Sequence, residues 1–555
     1  MKRILFVFLF LLGATEATAQ QGTCEMSMAG KYLDAGNVRA YIPNDGRLFR
    51  GHAGEYYEPG INFEAPKGIG ANSIYAASLW VGGNIDDEFR AAGTRYGWAE
   101  FWAGPLDEAG NPPADCKPFD HIWEIRTADI DSFYTDGHIS QNLQNWPWQL
   151  GAPVVDGDGD PTNYNLAGGD LPELLGDQRL WWIMNDRGNQ HESTVSEPIG
   201  IEVHASAFAF NNPGPLGNFT FYEYEIINKN SKPLTDAYVS MFADVDLGDF
   251  SDDYVGSDSL LQYGYAYNSD NLDDGCGVGI IPPAVGFTFL PTIAGDADGI
   301  DNNFDGIVDE EGEMVGISSV LYNVEPYMID RYKNVMEGRL EYGDTMYKGG
   351  RGYESWGFPS NLPLTPTRFA YSGDPVTGTF WSEFNVDDLG TPNDPYDRNL
   401  VTTMGQFDIA SGEKKTIRLA IVWSQGTDHL HSVRLLKKDV TGVRNTGDAL
   451  FTANLPERPQ KRNAPINGFV LGFDQNFPNP FTESTTIRYS LPQDMQVRLT
   501  VFDMLGREVQ TLVEQRQAAG TYNINFEAGN LPAGMYLARI ELDYLQFTKR
   551  MTLMR

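Results

Sequence analysis

From Ala40 to Trp423 the chain alternates short apolar and aromatic runs with loops of Gly, Asp, Asn and Pro, a rhythm that long helices cannot follow. The run from Ser73 to Val81 reads as a buried strand, and those over 199–210, 219–228, 237–244 and 416–423 read the same way. The runs starting at Ile199, Phe219 and Ala237 are joined by short turns such as Asn211-Asn212-Pro213-Gly214, which predicts an antiparallel meander or sandwich. One helix is expected over about 427–454. Leu430, Val433, Leu436 and Val440 recur there at helical spacing, with Lys437 and Lys438 toward solvent. The fold class is therefore mainly β. We expect two β-sandwich-rich regions, 20–200 and 201–455, the second ending in that helix, followed by a linker at 456–467 and a further domain at 468–555. The 59 glycines and 12% aromatics fit a turn-rich β fold rather than disorder.

Both ends carry signals of their own. Met1-Lys2-Arg3, an apolar run from Ile4 to Leu12 and the small-residue site Ala17-Thr18-Ala19 make a secretory signal peptide over 1–19. That run is about half the ~20 residues needed to span a bilayer, and no later stretch is long and apolar enough. After Pro456, Pro459 and Pro465, short alternating strands recur every 8–12 residues between Gly, Pro and Asp turns, the pattern of a small immunoglobulin-like sandwich.

This last domain resembles the type A C-terminal sorting domain of the type IX secretion system. Four ordered motifs carry the resemblance: Asn476-Phe477-Pro478-Asn479-Pro480-Phe481, the hairpin Val501-Phe502-Asp503-Met504-Leu505-Gly506-Arg507-Glu508-Val509, Leu531-Pro532-Ala533-Gly534-Met535-Tyr536, and the basic Lys549-Arg550. The resemblance implies recognition of 468–555 by the outer-membrane translocon and removal by a sortase-like protease. It also implies an extracellular or outer-surface location, released or attached. The region before it looks like a group of large secreted Bacteroidota proteins that carry the same domain. Its markers include 75–83, 101–106, 175–182 and 244–249, and this second resemblance supplies placement but no mechanism.

The formal charge of −36, from 76 acids and 40 bases, repels phosphate backbones and excludes nucleic acid as a natural partner. It suits a solvated extracellular protein, or one whose carboxylates hold divalent cations. Three cysteines, Cys24, Cys116 and Cys276, form no zinc or redox spacing; a Cys24–Cys116 bridge and free buried thiols both remain open.

Calcium is the cofactor these carboxylates suggest. It takes six to eight oxygens, and a loop with oxygen side chains at alternate positions can wrap them round one ion. Counting from Asp301, oxygens fall at positions one (Asp301), three (Asn303), five (Asp305) and nine (Asp309), with Gly306 at six. Gly312 stands at position twelve, so this is no complete EF-hand; it resembles the Asp-rich calcium loops of thrombospondin type 3 repeats. Asp296 and Asp298 precede it, and Glu310, Glu311 or Glu313 would complete it. Eight acids between 296 and 313 would repel one another without a cation. Asp156, Asp158 and Asp160 form a second alternating set. A third, Asp244 and Asp246 with Asp249, Asp252, Asp253 and Asp258, reads as a calcium site at a sandwich edge, a catalytic carboxylate pair or polar turn chemistry.

Familiar catalytic patterns are missing. His191-Glu192 lacks the second His of HExxH, Ser411-Gly412-Glu413-Lys414 falls in a turn, and His429 and His431 project apart. Eight of the eleven tryptophans lie in the first 182 residues, where packing in a core is the commoner fate and sugar stacking the alternative. The sequence thus favours a non-catalytic adhesin or structural matrix protein with calcium-stabilised loops, with surface polysaccharide or matrix as partner. The alternative is a secreted polysaccharide-active enzyme, a carboxylate-based glycoside hydrolase.

Overall fold

Side chains of the strand Phe219–Asn228 divide by parity, as strand geometry requires: Tyr222, Tyr224 and Ile226 enter one core, Phe219 and Phe221 another. The same division holds in Lys414–Ser424, with Ile417, Leu419 and Ile421 on one face and Ala420 and Val422 on the other. A strand buried on both faces belongs to the middle layer of a three-layer stack. The computed structural model describes residues 22–51, 63–273, 279, 281–295, 301, 308, 313–355, 357–452, 472–491, 495–503, 507–518, 520–542 and 545–554. The expected signal peptide at 1–19, the linker at 456–467 and Cys276 lie outside the described residues.

The strands of the body are β1 (Ala76–Ile85), β2 (Gln178–Asn185), β3 (Ile201–Ala209), β4 (Phe219–Asn228), β5 (Leu234–Val245), β6 (Asp253–Asp258), β7 (Tyr263–Asn268), β8 (Ala284–Leu290), β9 (Ile317–Tyr322), β10 (Arg398–Ile409) and β11 (Lys414–Ser424). The larger sheet runs β6-β7-β8-β11-β4-β3-β2 and is extended beyond β2 by Trp102–Ala103. The smaller runs β9-β10-β5-β1, and every named pairing is antiparallel. Val203, Ala205, Phe287 and Leu419 of the larger sheet share one apolar core with Leu79, Val239, Met241 and Leu400 of the smaller.

A sandwich, not a meander, is therefore formed: β3 and β4 are a hairpin, but β5 crosses to the other sheet. The expected division at 200/201 does not separate two folding units. β2 pairs with β3, and β1 with β5, so both sheets draw on both sides of that boundary.

The outer face of the larger sheet is closed by the expected helix, observed as α2 (His429–Thr446) and followed by a 3-10 turn at Gly447–Phe451; α1 (Ile329–Met336) precedes it in the chain. Asp428 caps α2 by accepting the His431 amide at 2.8 Å, worth about 1 kcal/mol. Val433, Leu436, Val440 and Val443 pack on Phe221, Tyr265 and Val422, each contributing roughly 1.5–3 kcal/mol on burial. On the smaller sheet, Tyr332 of α1 meets Trp80 of β1 edge-on, and Trp80 stacks on Phe242 of β5.

The C-terminal domain is a second, smaller sandwich. Its strands are β12 (Ser484–Leu491), β13 (Met495–Asp503), β14 (Glu508–Gln517), β15 (Gly520–Glu527), β16 (Gly534–Leu542) and β17 (Leu545–Leu553). β12 pairs with both β15 and Gly472–Phe473 in one sheet, and the other runs β14-β13-β16-β17. Ile487, Tyr489 and Leu491 of the first meet Val497, Leu499, Val501 and Ile540 of the second in a separate core. The whole chain is thus mainly β, and neither sandwich closes into a barrel among the described residues.

Candidate functional sites

The C-terminal motifs have plain structural jobs. Asn476 is buried, and its side-chain amide donates to the Pro478 carbonyl and to Thr485 Oγ1, at 3.1 and 2.9 Å. Asn479 accepts the Thr552 amide at 2.8 Å and donates to the Arg550 carbonyl at 3.1 Å, tying the opening turn to the last strand. Phe481 plugs the core, and Asp503 closes the β13–β14 hairpin by accepting the Arg507 amide. Tyr536 enters the core, while Leu537, next along the strand, is only half-buried. The first motif therefore clamps both ends of the domain together.

In the body, three carboxylates converge at one end of the smaller sheet. Asp244 is the penultimate residue of β5, Asp246 lies just beyond it, and Asp397 immediately before β10, the strand paired with β5. Their oxygens lie within 4.8 Å of one another. Burial, then the Asp397 charge, push the Asp244 carboxyl up to about 7, although the Tyr96 hydroxyl donates to it. Burial and the charges of Asp244, Asp397 and Asp249 push Asp246 up to about 8.

Asp253 extends the group. It is fully buried, its Oδ2 accepts the Leu247 amide at 3.2 Å, and its Oδ1 has no hydrogen-bond partner among the described residues. Burial raises its carboxyl well above the ordinary range, and the Asp246 charge adds to this. Gly248, at φ +100°, holds the turn between them: a Cβ there would collide with the Asp273 carboxylate, which accepts the Asp249 amide at 2.8 Å. Of the other acids named in this segment, Asp258 pairs with Lys437 at 3.2 Å and lies in a different environment.

The second group is a surface loop. Asp156, Asp158 and Asp170 bring carboxylate oxygens within 4.8 Å of one another. Asp170 is buried and orders the loop, accepting the amides of Gly157 at 2.8 Å and Asn165 at 2.6 Å. Asp160, expected as the third ligand, stands outside this group; it accepts the Thr162 amide and hydroxyl, at 3.0 and 2.6 Å. The alternation that suggested Asp160 describes a turn, whereas Asp170 arrives from across the loop. No spacing rule pointed to it.

Of the acidic stretch at 296–310, Asp301 is half-buried, and Asp296, Asp298, Asn303, Asp305, Asp309 and Glu310 lie outside the described residues; Glu313 is buried.

Other candidates resolve into structure. Ser411, in a turn between strands, donates to the Asn230 carbonyl at 2.7 Å, and Lys414, at the start of β11, pairs with Glu225 of β4 at 2.6 Å. His429 meets Asn271 and His431 meets Thr427. Trp80, Trp102, Trp146, Trp181 and Trp182 are buried, leaving Trp98, 60% exposed, as the exposed tryptophan among the described residues. Cys24 and Cys116 form a disulfide, with Cα atoms 5.5 Å apart.

Comparisons with known proteins agree with the C-terminal reading. Residues 475–554 match the family described as the secretion system C-terminal sorting domain. No curated protein matches the chain. Among solved structures, a polysaccharide lyase shares 8% identity at a TM-score of 0.22, over 97% of this chain and 47% of its own. The dimeric latent PorU of Porphyromonas gingivalis shares 10% at 0.14, over 68% of this chain and 31% of its own. A pullulanase from Bacillus acidopullulyticus shares 10% at 0.11, over 94% of this chain and 34% of its own. This chain spans about half the length of the lyase it is compared with, and scores this low do not indicate a shared fold. No helix among the described residues is long and apolar enough to cross a membrane. Residues 475–554 thus form a type IX secretion C-terminal sorting domain, which implies interaction with the type IX secretion machinery and indicates export to the cell surface or the extracellular space.

Proposed function

We propose that the exported body is a non-catalytic adhesin or structural matrix protein whose edge loops are ordered by calcium. The convergence of Asp244, Asp246 and Asp397 at the sheet end carries this reading. Buried carboxyls held near or above neutral pKa keep their protons unless a cation replaces them, and calcium supplies the missing charge. The fully buried Asp253 Oδ1 beside Asp246, unpartnered among the described residues, supports the same conclusion. Asp156, Asp158 and Asp170 form a second, more exposed site, and the residue pattern from Asp296 to Glu310 suggests a third.

One observation favours the hydrolase reading: Asp244 at about 7 could serve as a general acid beside Asp397. The number of acids favours the cation reading instead: a glycosidase needs a pair of carboxyls, and here one oxygen from each of Asp244, Asp246 and Asp397 lies within 4.8 Å of the others, a spacing at which they can share one ion.

At the roughly 0.1–1 mM affinity usual for extracellular modules, about 5 mM calcium stabilises the folded state by roughly 1–2 kcal/mol per site. Calorimetry of the mature full-length protein should show a higher Tm in calcium than in EGTA. Asp397→Asn should remove part of that difference, and an identical Tm in both buffers would sink the calcium reading. Sugar or peptide products released on incubation with polysaccharide or matrix protein would restore the enzyme reading.

A further inference from the structure

A cavity of about 370 Å³ opens beside the group of Asp244, Asp246 and the exposed Asp397. The segment before β10 faces both ways: Asp394, Pro395, Tyr396 and Arg398 line the cavity, while Asp397 turns its carboxylate to Asp244 and Asp246. Tyr322, Asn323, Arg351 and Asn393 complete the lining.

The cavity is built on a rigid base. Arg398 grips Glu383 through Nε and Nη2, both at 3.0 Å, with both side chains buried. The Asn393 side-chain amide donates to Glu383 at 2.8 Å and to the Tyr371 hydroxyl at 3.0 Å; Tyr371 in turn donates to the Tyr322 hydroxyl, and Tyr322 to the Arg351 carbonyl. The main chain of the segment is pinned as well, since the Tyr254 hydroxyl donates to the Asn393 carbonyl at 2.5 Å. Nothing large has to be ordered when a ligand arrives, which removes much of the usual entropic cost of binding.

On this base stands Tyr396, 63% exposed, an aromatic ring facing water at the mouth of a pocket whose walls are mainly apolar ring and stem surface with a few polar groups between them. Three ligand classes can be weighed against that lining. Anions meet the Asp397 group within a chain of net charge −36, while the two cations of the lining are already paired, Arg351 with Asp394 at 3.5 Å and Arg398 with Glu383 at 3.0 Å. A purely apolar ligand would fit the walls but would strip water from the exposed Asp394 and Arg351 without replacing its hydrogen bonds. A neutral sugar ring offers an apolar C–H face to an exposed tyrosine and hydroxyls to carboxylate and guanidinium, and the volume lies at the small end of the range for ligand pockets.

We infer that this cavity binds one or two rings of a neutral glycan chain, with Tyr396 as the stacking platform and the exposed Asp394 and Arg351 side chains as the hydroxyl-reading groups. The inference rests on the reading of the body as a surface binder and supplies the class of its ligand.

The test is titration calorimetry of mature full-length protein in calcium with cellohexaose, xylohexaose, mannohexaose and laminarihexaose, and with hexagalacturonate as the anionic counterpart. Binding of at least one neutral chain, weakened at least tenfold by Tyr396→Ala at unchanged Tm, is the expected result. No heat from any neutral chain, a preference for hexagalacturonate, or binding indifferent to Tyr396→Ala would overturn it. Tm in calcium against EGTA is read on the same protein. A calcium effect without sugar binding overturns the pocket alone; sugar binding that depends on Tyr396 without a calcium effect overturns the calcium reading alone.

Discussion

Glu100→Gln is expected to destabilise the body by about 3–5 kcal/mol at pH 7, because it strands a buried imidazolium. His191 and Glu100 are both buried, with Nδ1 and Oε2 3.2 Å apart, and Nε2 of His191 lies 2.7 Å from the Asp186 carbonyl. Burial alone would lower the His191 pKa, but the Glu100 hydrogen bond and charge, with Asp186 behind them, outweigh it and carry the pKa up to about 9. Glu100 also accepts the amides of Ser193 and Thr194 at 2.6 and 3.2 Å and the Thr194 hydroxyl at 2.8 Å. Asp186 accepts those of Ile199, Gly200 and Ile201 at 2.5, 3.0 and 2.8 Å. The pair therefore fixes the whole connection between β2 and β3.

The pH dependence has a definite sign. A histidine whose folded pKa lies above its unfolded value of about 6.5 binds more protons when folded, so its contribution is complete below that pH and is lost as pH rises through about 9. The shift corresponds to about 3 kcal/mol. Asp244 and Asp246 titrate over an overlapping range, but they do so equally in both proteins, so the difference between wild type and variant isolates His191. Urea unfolding from pH 6 to 9.5 in saturating calcium should show that difference shrinking as pH rises. A constant difference would mean that His191 is neutral in the fold and that the loss is one of packing.

Breaking the Cys24–Cys116 bridge is expected to cost about 2–4 kcal/mol. The bridge spans 92 residues, and closing a loop of that length removes much of the unfolded chain's entropy, at most roughly 4–5 kcal/mol in the chain-entropy account. The N-terminal segment also has bonds of its own: the Cys24 amide donates to the Gly188 carbonyl at 2.8 Å, and the Ala29 amide to Asp120 at 2.9 Å. These bonds hold the segment in the folded state with or without the bridge, so the effect falls mainly on the unfolded chain. Guanidinium midpoints of wild type with and without reductant, and of the Cys24→Ser/Cys116→Ser double variant, measure it. The reduced protein should match the variant, and a midpoint unmoved by reduction would show that the bridge contributes nothing.

Much of this architecture was legible in the residues because strands and helices advertise themselves locally. The run at 219–228 coincides with β4, and those over 73–81, 199–210, 237–244 and 416–423 cover the strands at their positions to within a few residues. The spacing of Val433, Leu436 and Val440 foretold the buried face of α2. The sorting domain was plainer still, since its turns need particular residues: Asn476 and Asn479 bond backbone groups that few other side chains could reach.

What tertiary structure alone decided is which distant residues meet. Asp397 joins Asp244 because β10 pairs with β5 across more than 150 positions, with Arg398 opposite Val245. Asp170 reaches Asp156 and Asp158 from across the surface loop, and β2 with β3 bridges the boundary where two regions were expected. Tyr396 becomes a rim residue only because β10 carries its segment to the sheet end. Alternation and turn chemistry report a residue's own backbone and its solvent side, and they carry no record of its partner. Partners follow from the pairing register, which the burial of one shared core selects.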